Sequence, residues 1–152
     1  MFVEQKLEEI RQRIDKSLQY ILLVGTGITT TLIAIAPRFV PWFFGEGFEP
    51  TIIIIQLLSP IVLIIGISNC LGSQYYTPAG LRKQSARYII MGAIVNLVLN
   101  ILLIPCLGAI GAVIGTLTAE LTIAVLYLYN CNGFMTLKQI FSNAWRKVAA
   151  AV

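Results

Sequence analysis

The sequence predicts an all-α, multispanning membrane protein with four transmembrane helices, and three observations lead there. Four runs without Lys or Arg, at residues 17–36, 51–72, 88–107 and 109–130, are 20, 22, 20 and 22 residues long. About 20 residues rising ~1.5 Å each cross a ~30 Å hydrocarbon layer. Charged residues make up 12% and hydrophobic residues 57% of the 152, whereas a soluble domain carries about 25% charged residues. Ten of the 11 Lys and Arg fall on one side of a four-span topology. A soluble core helix is this apolar over ~10–14 residues, not four times at full spanning length. A transmembrane β-barrel would alternate polar and apolar residues along its strands, and these runs do not.

The first span follows a charged segment, residues 1–16, in which Leu7, Ile10 and Ile14 recur at helical spacing among Glu and Arg. That pattern predicts an amphipathic helix running into the membrane. Ala34-Ile35-Ala36 has the small-x-small look of a signal-peptide cleavage site. The segment before the run, however, mixes four acids with four bases, and Pro37 would sit just after the cut. An uncleaved helix is the better reading. Residues 37–50 read as an outer loop, its Phe39, Trp42, Phe43, Phe44 and Phe48 forming an aromatic belt at the interface. In the second span Pro60 predicts a kink that frees a backbone carbonyl. Gly108 reads as the tight turn between the third and fourth spans. In the fourth, Gly111 and Gly115 sit on a small-residue face suited to close helix packing. The tail, residues 131–152, reads as a second amphipathic segment. Thr136 and Gln139 suggest a capping box there, and Leu137, Ile140, Phe141, Ala144 and Val148 share a face.

The basic residues set the orientation. Lys6, Arg11, Arg13 and Lys16 precede the first span, Arg82, Lys83 and Arg87 follow the second, and Lys138, Arg146 and Lys147 follow the fourth. Arg38 alone lies on the other side. By the positive-inside rule both termini are cytoplasmic. The net charge of +4 is therefore a topology signal and an anionic-lipid contact, not a nucleic-acid footprint. The protein has no His, and Cys70, Cys106 and Cys131 stand apart at helix ends. No metal site, cofactor site or disulfide framework is expected, and no nucleophile stands beside a base. An enzyme is not expected.

Polar groups at membrane depth are costly and mark candidate functional positions. Glu120 is the one charged residue inside any run. Either it couples transport to a proton or cation, or accepts a hydrogen bond from a hydroxylated substrate, or it is a protonated carboxyl bonded within the helix bundle. Asn96 and Asn100 lie four apart on one face of the third span. Thr116, Glu120 and Tyr127 fall on one stripe of the fourth. Gln56, Asn69 and Gln74 complete the candidates, as cavity-lining or coupling residues. The bland alternative for all of them is interhelical glue worth about 0.6 kcal/mol per hydrogen bond.

Several ordered segments carry a family resemblance. They are Phe44-Gly45-Glu46-Gly47-Phe48, Leu57-Leu58-Ser59-Pro60, Ser68-Asn69-Cys70-Leu71-Gly72-Ser73-Gln74-Tyr75, and Gly92-Ala93-Ile94-Val95-Asn96-Leu97-Val98-Leu99-Asn100 with Ile104-Pro105. Gly108-Ala109-Ile110-Gly111-Ala112, Gly115-Thr116 and Ala119-Glu120 follow. In this order and spacing, from about residue 5 to residue 130, the chain resembles the Wzx-type oligosaccharide flippases of the MATE-like superfamily. The resemblance implies two six-helix lobes around a central cavity, and transfer of an undecaprenyl-diphosphate-linked repeat unit between leaflets of the cytoplasmic membrane. It implies that this chain corresponds to the last four helices of the second lobe, as a fragment, a split-gene product or a truncated frame. Gly27 stands where such flippases often have Pro, and Thr31 where they often have Gly. Its expected partners are membrane lipids, the lipid-linked oligosaccharide, and either the missing lobe or further copies of the chain. The competing reading is a small four-helix, homo-oligomeric exporter that uses Glu120 for proton coupling. A third is a non-transporting remnant.

Overall fold

A computed structural model describes residues 2–131, and its architecture is all-helical, with no strand among the described residues. Four helices are long and apolar enough to span a membrane. The predicted tail, with Thr136 and Gln139, lies outside the described residues.

Helix α1 runs unbroken from Phe2 to Phe44. At ~1.5 Å per residue it is about 65 Å long, twice the hydrocarbon thickness. Its polar start and apolar body are thus one rod. The expected loop at residues 37–50 is corrected here: α1 continues through Phe44, and only the short stretch from Gly45 to Glu49 is a turn. Phe39, Trp42, Phe43 and Phe44 project from helix, with the Phe39 and Phe43 rings stacked at 5.2 Å. Pro37 and Pro41 lie inside the helix, where each removes an N–H and crowds the carbonyl four residues before it, a cost tolerated in a membrane helix when a neighbour bonds the freed group. The helix ends at Gly45, whose φ of 85° is the left-handed region that glycine enters freely. In the turn the Glu49 carboxylate accepts the Gly47 N–H at 3.1 Å. Its own backbone N–H and that of Gly47 hold its carboxyl below the usual range.

Pro60 interrupts the hydrogen-bond ladder of the second span without ending the helical course of the backbone, since Ser59 and Pro60 both keep right-handed helical dihedrals. Helix α2 covers Pro50–Leu58 and α3 covers Ile61–Leu71. A π-helical turn, Gly72–Tyr76, continues α3, with the Thr77 N–H reaching back five residues to the Gly72 carbonyl at 3.0 Å. Helix α4, Arg82–Leu107, and α5, Ala109–Tyr129, form a hairpin about Gly108, whose φ is 57°.

Small residues allow the helices to meet. A Cβ on Gly111 would lie 2.5 Å from the Leu103 carbonyl oxygen, and one on Gly115 would lie 2.5 Å from Asn100 Oδ1. Helix α3 lies between α1 and α5, with Gly66 opening towards Ile21 and Gly25 towards Leu63. The most apolar stretch of α5 is 33% buried, against 11% or less in the other three spans. Helix α5 is therefore the central element. The tightest core lies at the end where the Lys and Arg cluster, and it contains Ile14, Leu18, Leu71, Tyr76 and Tyr127.

Close packing at Gly111 is against backbone, which cannot yield. Gly111→Ala should lower stability by about 1–3 kcal/mol. Gly27→Ala, where a Cβ meets nothing within 4 Å, should leave it unchanged or raise it by up to ~1 kcal/mol. Unfolding of the purified chain in mixed detergent micelles measures both.

Candidate functional site

The α4–α5 hairpin brings together two of the sequence candidates, and a third lies close by. Asn96 and Asn100, one turn apart, share a hydrogen bond: Asn100 Nδ2 donates to Asn96 Oδ1 at 2.8 Å. Asn96 Nδ2 in turn donates to Thr116 Oγ1 of α5 at 3.4 Å. The chain of donors leaves one acceptor open. Asn100 Oδ1 is buried and accepts no hydrogen bond among the described residues. Glu120 stands one turn beyond Thr116 on the same face of α5. It is half-buried, and forms no hydrogen bond or ion pair among the described residues. The seam thus offers a hydroxyl, two amides and a carboxyl at membrane depth, with spare acceptor capacity. Asn100 Oδ1 itself is packed against Gly115 and closed off from any ligand, so the half-buried Glu120 carboxyl is the acceptor of the seam that a donor can reach.

Tyr127, on the same predicted stripe, belongs elsewhere. It joins Tyr76 and Tyr88 in a buried aromatic cluster at the basic end, the Tyr76 and Tyr127 rings 4.8 Å apart and Tyr88 edge-on to both. The Tyr76 hydroxyl donates to the Tyr127 carbonyl at 3.0 Å. The Tyr127 hydroxyl shares a 2.6 Å hydrogen bond with Ser85. Gln84 Nε2 donates to the Tyr88 hydroxyl at 2.6 Å. Helices α4 and α5 and the π turn are pinned there by satisfied hydroxyls, an arrangement that rigidifies. Sequence reasoning missed this cluster, since Tyr76, Tyr88 and Tyr127 show no common period. The one available signal was that all three fall at the same predicted membrane face, where tyrosine is enriched.

The remaining candidates are dispersed. Gln74, in the π turn, pairs with Ser17 of α1: its Nε2 donates to Ser17 Oγ at 2.9 Å. The side chain of Asn69 is exposed on α3. Gln56 reaches from α2 to α1, its Nε2 donating to the Ile33 carbonyl at 3.0 Å. That carbonyl lies four residues before Pro37 and so lacks its helical donor. The Ser59 hydroxyl likewise donates at 2.9 Å to the Gln56 carbonyl that Pro60 leaves open. Thr29 Oγ1 donates to the Ser59 carbonyl at 3.2 Å, tying the break to α1. Cys70 and Cys131 are buried and Cys106 is exposed, all as free thiols. Among the described residues no group of His, Cys, Asp or Glu could hold a metal ion.

A curated relative from Escherichia coli (strain K12), named "Putative O-antigen transporter", is 28% identical over 115 residues, covering 76% of this chain. The chain spans 28% of that relative's length. No protein-family profile matches. No solved structure matches either. Four apolar helices together with a transporter relative identify a multi-pass membrane protein.

The bond between Gln56 and the proline-freed carbonyl is separable from transport. Gln56→Leu should cost about 1–3 kcal/mol by stranding the Ile33 carbonyl. Pro37→Ala in the same chain should recover most of that loss, because a residue with an N–H fills the carbonyl within the helix. The same micelle unfolding series reads the rescue. A loss that Pro37→Ala fails to restore would place the role of Gln56 outside the helix ladder.

Proposed function

We propose that this chain is part of a membrane transporter that flips a lipid-linked oligosaccharide across the cytoplasmic membrane for surface polysaccharide assembly. The substrate class is an undecaprenyl-diphosphate-linked repeat unit, and both termini lie in the cytoplasm. The observation that carries the reading is the 115-residue match to a protein named as an O-antigen transporter. The geometry supports it in two ways. A polar seam with an unfilled acceptor at Asn100 runs through an otherwise apolar hairpin. The most apolar stretch of α4 is only 6% buried within the chain, so this face is available to further helices or to lipid. In this reading Asn96, Asn100 and Glu120 meet the polar interior of the assembled transporter, and the rest of that transporter completes the cavity. The process moves a molecule and makes no covalent bond, so no enzyme chemistry is assigned.

The four-helix homo-oligomeric exporter remains the second reading, and one observation favours it. Glu120 is a carboxyl at membrane depth without an intrachain partner among the described residues, as a proton-coupling group would be. A flippase-null strain separates the two. The chain should restore surface polysaccharide only when the remainder of a flippase is co-expressed, and restoration by the chain alone would favour self-assembly. Within the restored transporter, Asn100→Leu should reduce polysaccharide export about tenfold or more, a loss of ~1.4 kcal/mol or more. Glu120→Gln should retain more export than Glu120→Ala if the carboxyl acts as a hydrogen-bonding group. Equal loss in both would assign it to proton or cation coupling. Wild-type export in both would remove Glu120 from the mechanism.

A further inference from the structure

A cavity of about 620 Å³ opens at the basic end, between α1 and the π turn, and none of the candidate sites above uses it. Ile10, Arg13, Lys16 and Ser17 line it from α1, and Ser73, Gln74 and Pro78 from the opposite wall. Residues 10, 13 and 17 follow the three- and four-residue spacing of one helix face. The π turn determines which side chains face them, because its extra residue per turn shifts the register beyond Gly72. The Ser17–Gln74 pair closes the floor with hydrogen bonds of 2.9 and 3.2 Å. The Ser73 hydroxyl proton is committed to the Asn69 carbonyl at 2.7 Å. An entering group therefore meets a guanidinium, an ammonium and an amide.

The chemistry of this lining is one-signed. Arg13 and Lys16 contribute two positive charges, no acid lines the cavity, and neither base has an ion-pair partner among the described residues. A guanidinium fork matches two phosphate oxygens, and an ammonium adds a point charge beside it. The volume falls in the ~300–1,000 Å³ range of small-molecule sites. Its depth is informative as well. The change from charged to charge-free sequence falls between Lys16 and Ser17, which sets the cavity at headgroup level, with Ile10 and Pro78 as apolar flanks.

We propose that this cavity is a binding site for a phosphate-bearing anion, formed by Arg13, Lys16 and Gln74 at the membrane surface. A phosphodiester headgroup of an anionic phospholipid and soluble inorganic phosphate carry the same chemistry. The site is independent of what the chain transports.

Native mass spectrometry of the full purified chain tests it, with phosphatidylglycerol or phosphatidylcholine added to the detergent. The wild-type chain should retain phosphatidylglycerol in preference. The double substitution Arg13→Gln/Lys16→Gln should cut that retention about thirtyfold, the change that ~2 kcal/mol for two bases near the surface corresponds to. Arg82→Gln/Lys83→Gln, at the same end but outside the cavity, should change it less than about twofold. Equal losses in the two doubles would overturn the site in favour of diffuse surface charge. Absence of a phosphatidylglycerol preference in the wild type would overturn it as well, and needs no variant to fold. Circular dichroism checks the helix content of each double. Displacement of the lipid by millimolar inorganic phosphate would assign the site to free phosphate, and retention of the lipid would assign it to the headgroup.

Discussion

Inside a hydrocarbon layer a peptide carbonyl has no water to bond, and one left open costs several kcal/mol. Two of the prolines, Pro37 and Pro60, show how the chain meets that constraint. Pro37 opens the Ile33 carbonyl, and Gln56 of the neighbouring helix closes it. Pro60 opens the Gln56 carbonyl, and the adjacent Ser59 hydroxyl closes that one. Thr29 then takes the Ser59 carbonyl. Two breaks in the helix ladder have become ties between α1 and the second span. A polar residue in such a place is neither a defect nor a substrate contact by default. It supplies what the backbone lacks.

The two ends of the molecule resolve their polar groups differently. At the basic end, Tyr76, Tyr127 and Ser85 satisfy one another within a core where Tyr76 and Ile14 are fully buried. Around Asn100 the resolution stops one bond short. That cluster exists because α4 and α5 approach closely at glycines. Any side chain at Gly115 would occupy the space that Asn100 Oδ1 now fills. Close packing and the open acceptor thus have one cause, the absence of a Cβ on α5.

The sequence makes the spans plain because hydrophobic runs and charge asymmetry are local, additive signals. The Asn96–Asn100 pair was also legible, since four-residue spacing alone puts both on one face. Residues 37–44 were not. Two prolines and a cluster of aromatics look like a loop until the Gln56 amide is seen beneath the freed carbonyl, and that donor lies 23 positions away. The π turn was hidden for a similar reason, as its hydrogen bonds differ from an α-helix only in which acceptor each N–H selects. The types of Gln56, Gln74 and Asn69 were readable, but their partners were not. The structure separates three amides that composition treats alike into a helix repair, an interhelix pair and an exposed group.

An unfilled acceptor matters more in this setting than it would on a soluble surface. The α4–α5 hairpin is held by backbone-to-backbone approach at Gly111. Glu120 is half-buried and can meet a partner as the helices stand, whereas Asn100 Oδ1, pressed against Gly115, would gain one only if α4 and α5 moved apart. Tyr76 and Tyr127, at the other end, need none, because each hydroxyl already has its partner. The span is thus fully satisfied at one membrane face and one hydrogen bond short at depth. Packing alone does not call for an amide there, since an apolar residue at position 100 would leave no acceptor to satisfy.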